Sequence, residues 1–297
     1  MRKEEDEVRE RFARMGGATD VPSMRAAYDE LGQSLAMPDG VEVTSTTVAG
    51  CPAEWLNSGG EAPSVVLYLH GGGFMGGSLK SYRHLAAKIA KVVNGRALLL
   101  EYRLAPEHVF PAALDDAVAA YRHLLNDQGI APKHISFMGD SAGANLVVAT
   151  LLAVRDAGLP LPACAVCVSP WVDYELNGLS TRTKAAVDPV INRDGALQVL
   201  KYYFAGVDLT KPPATILQAD LKGLPPLLIQ VGSNEVLLDD STQLATLAAH
   251  HEVETTLTVW PRMVHIFPFF YPILKQGRQA IEQAGAFIER HTTRPAD

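Results

Sequence analysis

The chain has 297 residues, 47% of them hydrophobic, enough for a sizeable core without disulfides or structural metals. Asp and Glu number 33 against 26 Lys and Arg, and the net charge of −7 argues against a nucleic-acid partner. Three cysteines in a long chain make no disulfide framework, and no apolar run reaches the roughly 18 residues of a membrane span.

Residues 1–14 mix both charge signs and hold no apolar h-region, so a secretory signal is not expected and the expected location is cytoplasmic. Val8, Phe12 and Met15 form a thin apolar stripe in this segment. Met24, Tyr28, Leu31 and Leu35 form a fuller one, with Pro22 in the first turn and Met37-Pro38-Asp39-Gly40 as the stop. Two readings stay open for these helices: a solvated, fraying segment or a lid.

From residue 41 the pattern alternates. Residues 41–48 are rich in β-branched side chains and are expected to pair with a strand around 53–56. Buried-strand runs follow at 64–69, 96–102, 135–138, 163–168, 226–231 and 255–260. Helical patterns lie between and after them at 82–93, 113–127, 142–157, 239–250 and 272–290. Such alternation predicts an α/β fold, a mostly parallel sheet with helices on both faces. The strand series pauses between Trp171 and Gly223, a stretch with its own helical pattern at 195–204 that reads as an insertion.

Gly139-Asp140-Ser141-Ala142-Gly143 fits G-x-S-x-G between a strand and a helix. That sharp turn lifts a serine above the sheet, and the helix N-terminus beneath it favours developing negative charge. His70-Gly71-Gly72-Gly73-Phe74 follows the 64–69 strand, and consecutive glycines leave N–H groups open for an oxyanion. Gly71, Gly73 and Gly76 also match a dinucleotide fingerprint, with Glu101 as a candidate ribose-binding acid. Two features favour the oxyanion reading: His70 precedes the glycines, and the serine elbow lies further down the chain.

Glu235, Asp239 and Asp240 all follow the 226–231 strand, so loop position alone does not choose the acid that would orient a histidine. The two aspartates precede a helical run, where acids partner the helix dipole, and Glu235 is therefore preferred. His265 alone among nine histidines sits in the loop after the last strand. Cys164-Ala165-Val166-Cys167 lies within a strand, where its spacing puts the thiols on opposite faces, so they read as buried hydrophobes rather than a redox or zinc pair.

Over essentially its whole length the chain resembles the hormone-sensitive-lipase-like family of α/β-hydrolase carboxylesterases, in the branch with a Gly-Asp-Ser-Ala-Gly elbow. The residues that carry the resemblance are 70–74, 102–107 with 110–112, the elbow with Asn145-Leu146, Ser169-Pro170-Trp171, Asp188-Pro189 and His265-Ile266-Phe267. It implies an α/β-hydrolase body (48–169 and 223–297) under a helical cap made of residues 1–47 and an insertion at 170–222. It also implies a triad of Ser141, Glu235 and His265, and an oxyanion hole of Gly72, Gly73 and Ala142. One departure matters: family members usually carry Asp-Pro-Leu where this chain has Glu235-Val236-Leu237. Plant relatives that act as receptors have lost the histidine, which is present here.

Phe74, Met75, Trp171 and Phe267 are the expected walls of a closed apolar pocket for soluble esters with short to medium acyl chains. Lactones and phthalate esters remain open as substrates, and a homodimer is left open. No metal, cofactor, nucleic acid or membrane is called for. Esters are preferred over peptides because alcohols leave more easily than amines.

Overall fold

The structure, a computed structural model, describes residues 2–16, 20–60, 63–209, 212 and 215–292. An eight-stranded sheet runs through it in the order β1-β2-β4-β3-β5-β6-β7-β8. β1 (Glu42–Val48) and β2 (Cys51–Asn57) form an antiparallel hairpin, and β2 lies antiparallel to β4 (Arg96–Leu100). The remaining strands are parallel: β3 (Val65–Leu69), β5 (Ile135–Asp140), β6 (Cys164–Val168), β7 (Leu227–Gly232) and β8 (Thr255–Trp260). The parallel sheet makes the carboxyl ends of its strands one working edge, where sites form in such folds.

Every residue of β3, β5, β6 and β7 is buried. Alternate side chains feed two separate cores. Val65, Leu67, Leu69 and Phe137 join one core with α4 (Ala112–Asn126), α5 (Ala142–Asp156) and α8 (Leu238–His250). Val66, Tyr68 and Met138 join the other with α3 (Leu79–Val92) and α9 (Lys275–Thr292). Cys167 falls in the first core and Cys164 in the second, so the two thiols sit on opposite faces of the sheet. Burial pushes both up to about 12, which leaves them as inert thiols.

The N-terminal helices are packed rather than fraying. On α1 (Arg2–Met15), Val8 and Phe12 are buried, and Phe12 meets Phe270 edge-on at 4.9 Å. On α2 (Val21–Gln33), Leu31 faces the same core while Met24 and Tyr28 stay half-buried. A capping box starts α2: Asp20 accepts from the Ser23 N–H, and Ser23 Oγ accepts from the Asp20 N–H. Among the described residues, the insertion carries two helices, α6 (Ser180–Thr183) and α7 (Arg193–Tyr203).

Some boundaries differ from the sequence reading. The division at residues 47 and 48 falls inside β1, which belongs to the sheet through a two-residue turn with positive φ at Ala49 and Gly50. The strand expected over 96–102 stops at Leu100. Helix α3 starts three residues before the expected Tyr82, because Ser78 caps it by accepting from the Ser81 N–H. Among the described residues no helix is long and apolar enough to cross a membrane.

Candidate active site

The site begins where β5 ends. Ser141 directly follows Asp140 and directly precedes α5, and the abrupt change of direction leaves it at φ 55°, ψ −123°. Holding a non-glycine residue there costs on the order of 1–3 kcal/mol, so the surroundings must enforce it. The Ser141 N–H donates to Val168 O at 2.9 Å, and its carbonyl accepts from the Ala144 and Asn145 N–H groups. Close packing allows no alternative: a Cβ on Gly143 would run into the carbonyls of Leu69 and His70.

His265 Nε2 lies 3.0 Å from Ser141 Oγ, and Nδ1 lies 3.2 Å from Glu235 Oε2. All three side chains are buried, at 6% exposure for Ser141, 3% for His265 and 0% for Glu235. Glu235 Oε1 accepts from Ser169 Oγ at 2.9 Å and from the Gly232 N–H. Burial pushes the Glu235 carboxyl up, while the hydrogen bond and charge of His265 and the Gly232 N–H oppose that shift. For His265, burial alone would lower the pKa, but the hydrogen bond and charge of Glu235, with Asp188 and Asp140, raise it above the ordinary imidazole value. The arrangement is a hydrogen-bonded line from carboxylate to imidazole to hydroxyl.

The other two acids of this loop are engaged elsewhere. Asp240 Oδ2 accepts from the Val172 and Asp173 N–H groups at 2.8 and 2.7 Å, and Asp239 Oδ2 accepts from the Ser180 N–H at 2.9 Å. Beyond standing in the first turn of α8, both therefore tie that helix to the insertion.

Gly72 and Gly73 adopt φ of 115° and 63°, and the Gly72 carbonyl accepts from the Met75 and Gly76 N–H groups in a tight turn. Among the described residues, no hydrogen bond is donated by the N–H of Gly72, Gly73 or Ala142. The Gly71 N–H, by contrast, is taken by Asp140 Oδ1 at 3.2 Å.

A cavity of about 210 Å³ opens on this line of groups. Gly72, Gly73, Ser141 and His265 form one side; Met24 and Tyr28 of α2, Trp171, and Val190, Ile191, Ala196 and Val199 of the insertion form the others. Of the four expected wall residues, Trp171 alone lines this cavity. Phe74, at φ 59°, turns into the core and stacks on Tyr203 at 4.0 Å. Met75 faces a neighbouring groove of about 700 Å³ between α2 and α7. Phe267 is fully buried in the opposite core, 5.5 Å from Trp260, at the start of a 3-10 turn.

Two supporting residues escaped the sequence reading as individuals. Ser169 donates to Glu235 and accepts from the Ile266 N–H at 3.2 Å, linking the acid to the histidine's loop. Asp140 accepts from Tyr68 Oη, Tyr82 Oη and the Gly71 N–H, and burial pushes it up to about 6 against those hydrogen bonds. Glu101, weighed above as a ribose ligand, instead receives the Leu79 N–H at the start of α3.

A family model for the alpha/beta hydrolase fold matches residues 66–269. An esterase from the bacterial hormone-sensitive lipase (HSL) family superposes with a TM-score of 0.94 at 42% identity, over 98% of each chain. The chain belongs to the hormone-sensitive-lipase-like α/β-hydrolase carboxylesterases. EstE5, crystallised and soaked with p-nitrophenyl butyrate, superposes with a TM-score of 0.92 at 42% identity, over 98% of this chain and 99% of its own. By sequence, this carboxylesterase is 44% identical to an acetyl-hydrolase of Streptomyces hygroscopicus over 92% of this chain and 91% of the relative. It is 31% identical to an esterase of Acinetobacter venetianus, over 89% and 88% of the two chains.

Replacing Asp240 with Ala strands two N–H groups of the insertion, so the expected loss is about 1–3 kcal/mol of stability for the unsatisfied groups. Denaturant unfolding of Asp240→Ala checks this, with unchanged stability the contrary result.

Proposed function

We propose that this carboxylic ester hydrolase acts through a serine acyl-enzyme on small soluble esters with short to medium acyl chains. The observation that carries the reading is the buried line Glu235–His265–Ser141, with Nε2 3.0 Å from the hydroxyl. Ser141 attacks the ester carbonyl while His265 takes its proton. The tetrahedral oxyanion is received by the N–H groups of Gly72, Gly73 and Ala142, and Gly72 and Gly73 line the same cavity. His265 then returns the proton to the leaving alcohol. Water attacks the acyl-enzyme by the same route, regenerating Ser141 and releasing the acid. Glu235 keeps Nδ1 protonated, so that Nε2 is the basic nitrogen, and stabilises the imidazolium as it forms.

The small cavity and its walls from α2 and the insertion support treating the N-terminal helices and residues 170–222 as a cap. Arg25 fastens α2 to the body, donating to Met75 O, Ala105 O and Glu107, and Arg9 donates to Val187 O of the insertion. A cavity of about 210 Å³ suits a short acyl group.

Ser141→Ala is expected to fold and to lose ester hydrolysis by several orders of magnitude. Glu235→Gln keeps the shape but not the charge, and its turnover should fall by about three to four orders of magnitude, as in the analogous change in the serine-protease template. Steady-state kinetics on p-nitrophenyl acetate check both; an active Glu235→Gln would move the orienting role elsewhere.

Acyl-chain selectivity follows from the cavity. The value of kcat/KM should fall from butyrate to laurate p-nitrophenyl esters, with no jump when substrate forms an emulsion. Faster turnover of emulsified long-chain esters contradicts the closed-pocket reading.

The pH profile follows the protonation of His265. His265 must be neutral to accept the serine proton, so activity is present above its pKa and lost as pH falls through it. Glu235 and its neighbours raise that pKa. The acid limb of kcat/KM should therefore have its midpoint above the ordinary value of about 6.5, and a midpoint well below it counts against the assignment.

A further inference from the structure

Asp188 lies in the insertion, far in sequence from the serine, the histidine and the glutamate. Its carboxylate nevertheless joins two parts of the site. Oδ2 accepts from the Val236 N–H at 2.8 Å, and Val236 is the residue directly after Glu235. Oδ1 accepts from the Val190 and Ile191 N–H groups at 2.9 and 3.0 Å, and both of those residues wall the cavity. One carboxylate thus receives three backbone N–H groups, two from the cavity wall and one from the loop that carries Glu235.

We infer that Asp188 is a positioning residue that holds Glu235 against His265 and couples that contact to the acyl-binding wall. The inference rests on the serine esterase reading and deepens it.

Geometry gives the reason. Glu235 follows β7 by only a short loop, and its Oε2 reaches His265 at 3.2 Å, a long contact for a charge-assisted bond. A loop of that kind needs an anchor on its far side. Asp188 supplies it at Val236 N, and Ser180 Oγ supplies a neutral second tie by donating to Val236 O at 2.6 Å. If Val236 swings away, Glu235 moves with it, and misplacement by about 1 Å can cost on the order of a hundredfold in rate.

The two ties differ in charge, and that difference makes the role measurable. Among the described residues, three carboxylates act on the His265 imidazolium: Glu235 by direct contact, and Asp188 and Asp140 through space. Removing the Asp188 charge should therefore make His265 easier to deprotonate. Removing the Ser180 hydroxyl should not. A purely structural role for Asp188 would lower kcat and melting temperature without moving the acid limb.

The test compares Asp188→Asn, Asp188→Glu and Ser180→Ala on p-nitrophenyl acetate, reading kcat, the pH profile of kcat/KM and Tm. Asp188→Asn should lose about tenfold to a hundredfold in kcat, with the acid limb displaced to lower pH. Asp188→Glu keeps the charge, so its limb should stay at the wild-type position while kcat falls. Ser180→Ala should leave the limb in place. An unmoved limb in Asp188→Asn, or the same displacement in Ser180→Ala, overturns the inference. Should Asp188→Asn fail to fold, Asp188→Ser removes the charge in its place: reduced kcat with the limb displaced to lower pH supports the role, and an unmoved limb refutes it. Ser141→Ala run alongside separates the two levels. Retained turnover there overturns the serine mechanism itself, whereas an inert Ser141→Ala beside an unmoved Asp188→Asn limb overturns only the role of Asp188.

Discussion

The site depends on one buried charge. Glu235 is fully withdrawn from water, and an ionised carboxylate in that position is tolerated only when it is hydrogen-bonded and paired. Its partners come from three separate strand ends: Ser169 after β6, the Gly232 N–H at the end of β7, and His265 after β8. Satisfying the charge therefore fixes the mutual placement of three strand ends. The serine is then brought within reach of the imidazole by a fourth strand, β5, through the strained turn at Ser141.

The rest of the fold supplies what those contacts require. A parallel sheet buried on both faces is stiff, and it presents its carboxyl ends side by side. Strand order places β3, with the glycine turn at its end, next to β5 with the serine. Asp140 reinforces that adjacency by holding the Gly71 N–H while Tyr68 and Tyr82 donate to the same carboxylate. The insertion is stitched to the acid's loop by Asp188, Ser180, Asp239 and Asp240, so it supports Glu235 as well as walling the cavity.

Much of this was legible in the residues because the signals are periodic or ordered. Apolar runs between helical stripes specify a covered parallel sheet, and a G-x-S-x-G between strand and helix has a single plausible geometry. Beyond His265, the contacts that hold Glu235 and its loop were not legible as such. Ser169, which donates to Glu235, and Asp188, which accepts from the Val236 N–H, are single polar residues whose partners lie 66 and 48 positions away, and no local spacing encodes such a pairing. Side-chain direction was equally hidden. Phe74 sits beside the glycines in sequence, yet its positive φ turns the ring onto Tyr203 and away from the cavity. Phe267 follows His265 by two residues, but a left-handed Ile266 and a 3-10 turn carry it into the opposite core. The β1–β2 hairpin was legible from its β-branched residues, and only its assignment to the cap rather than to the sheet missed the structure.

The central claim is that Ser141 is the nucleophile, activated by His265. Labelling with an organophosphonate ester, followed by digestion and mass spectrometry, tests it most directly. The expected result is one adduct per chain, located on Ser141, forming at a rate that falls as pH drops through the acid limb and absent from Ser141→Ala. A stoichiometric adduct on any other residue, or complete labelling with esterase activity retained, would contradict it.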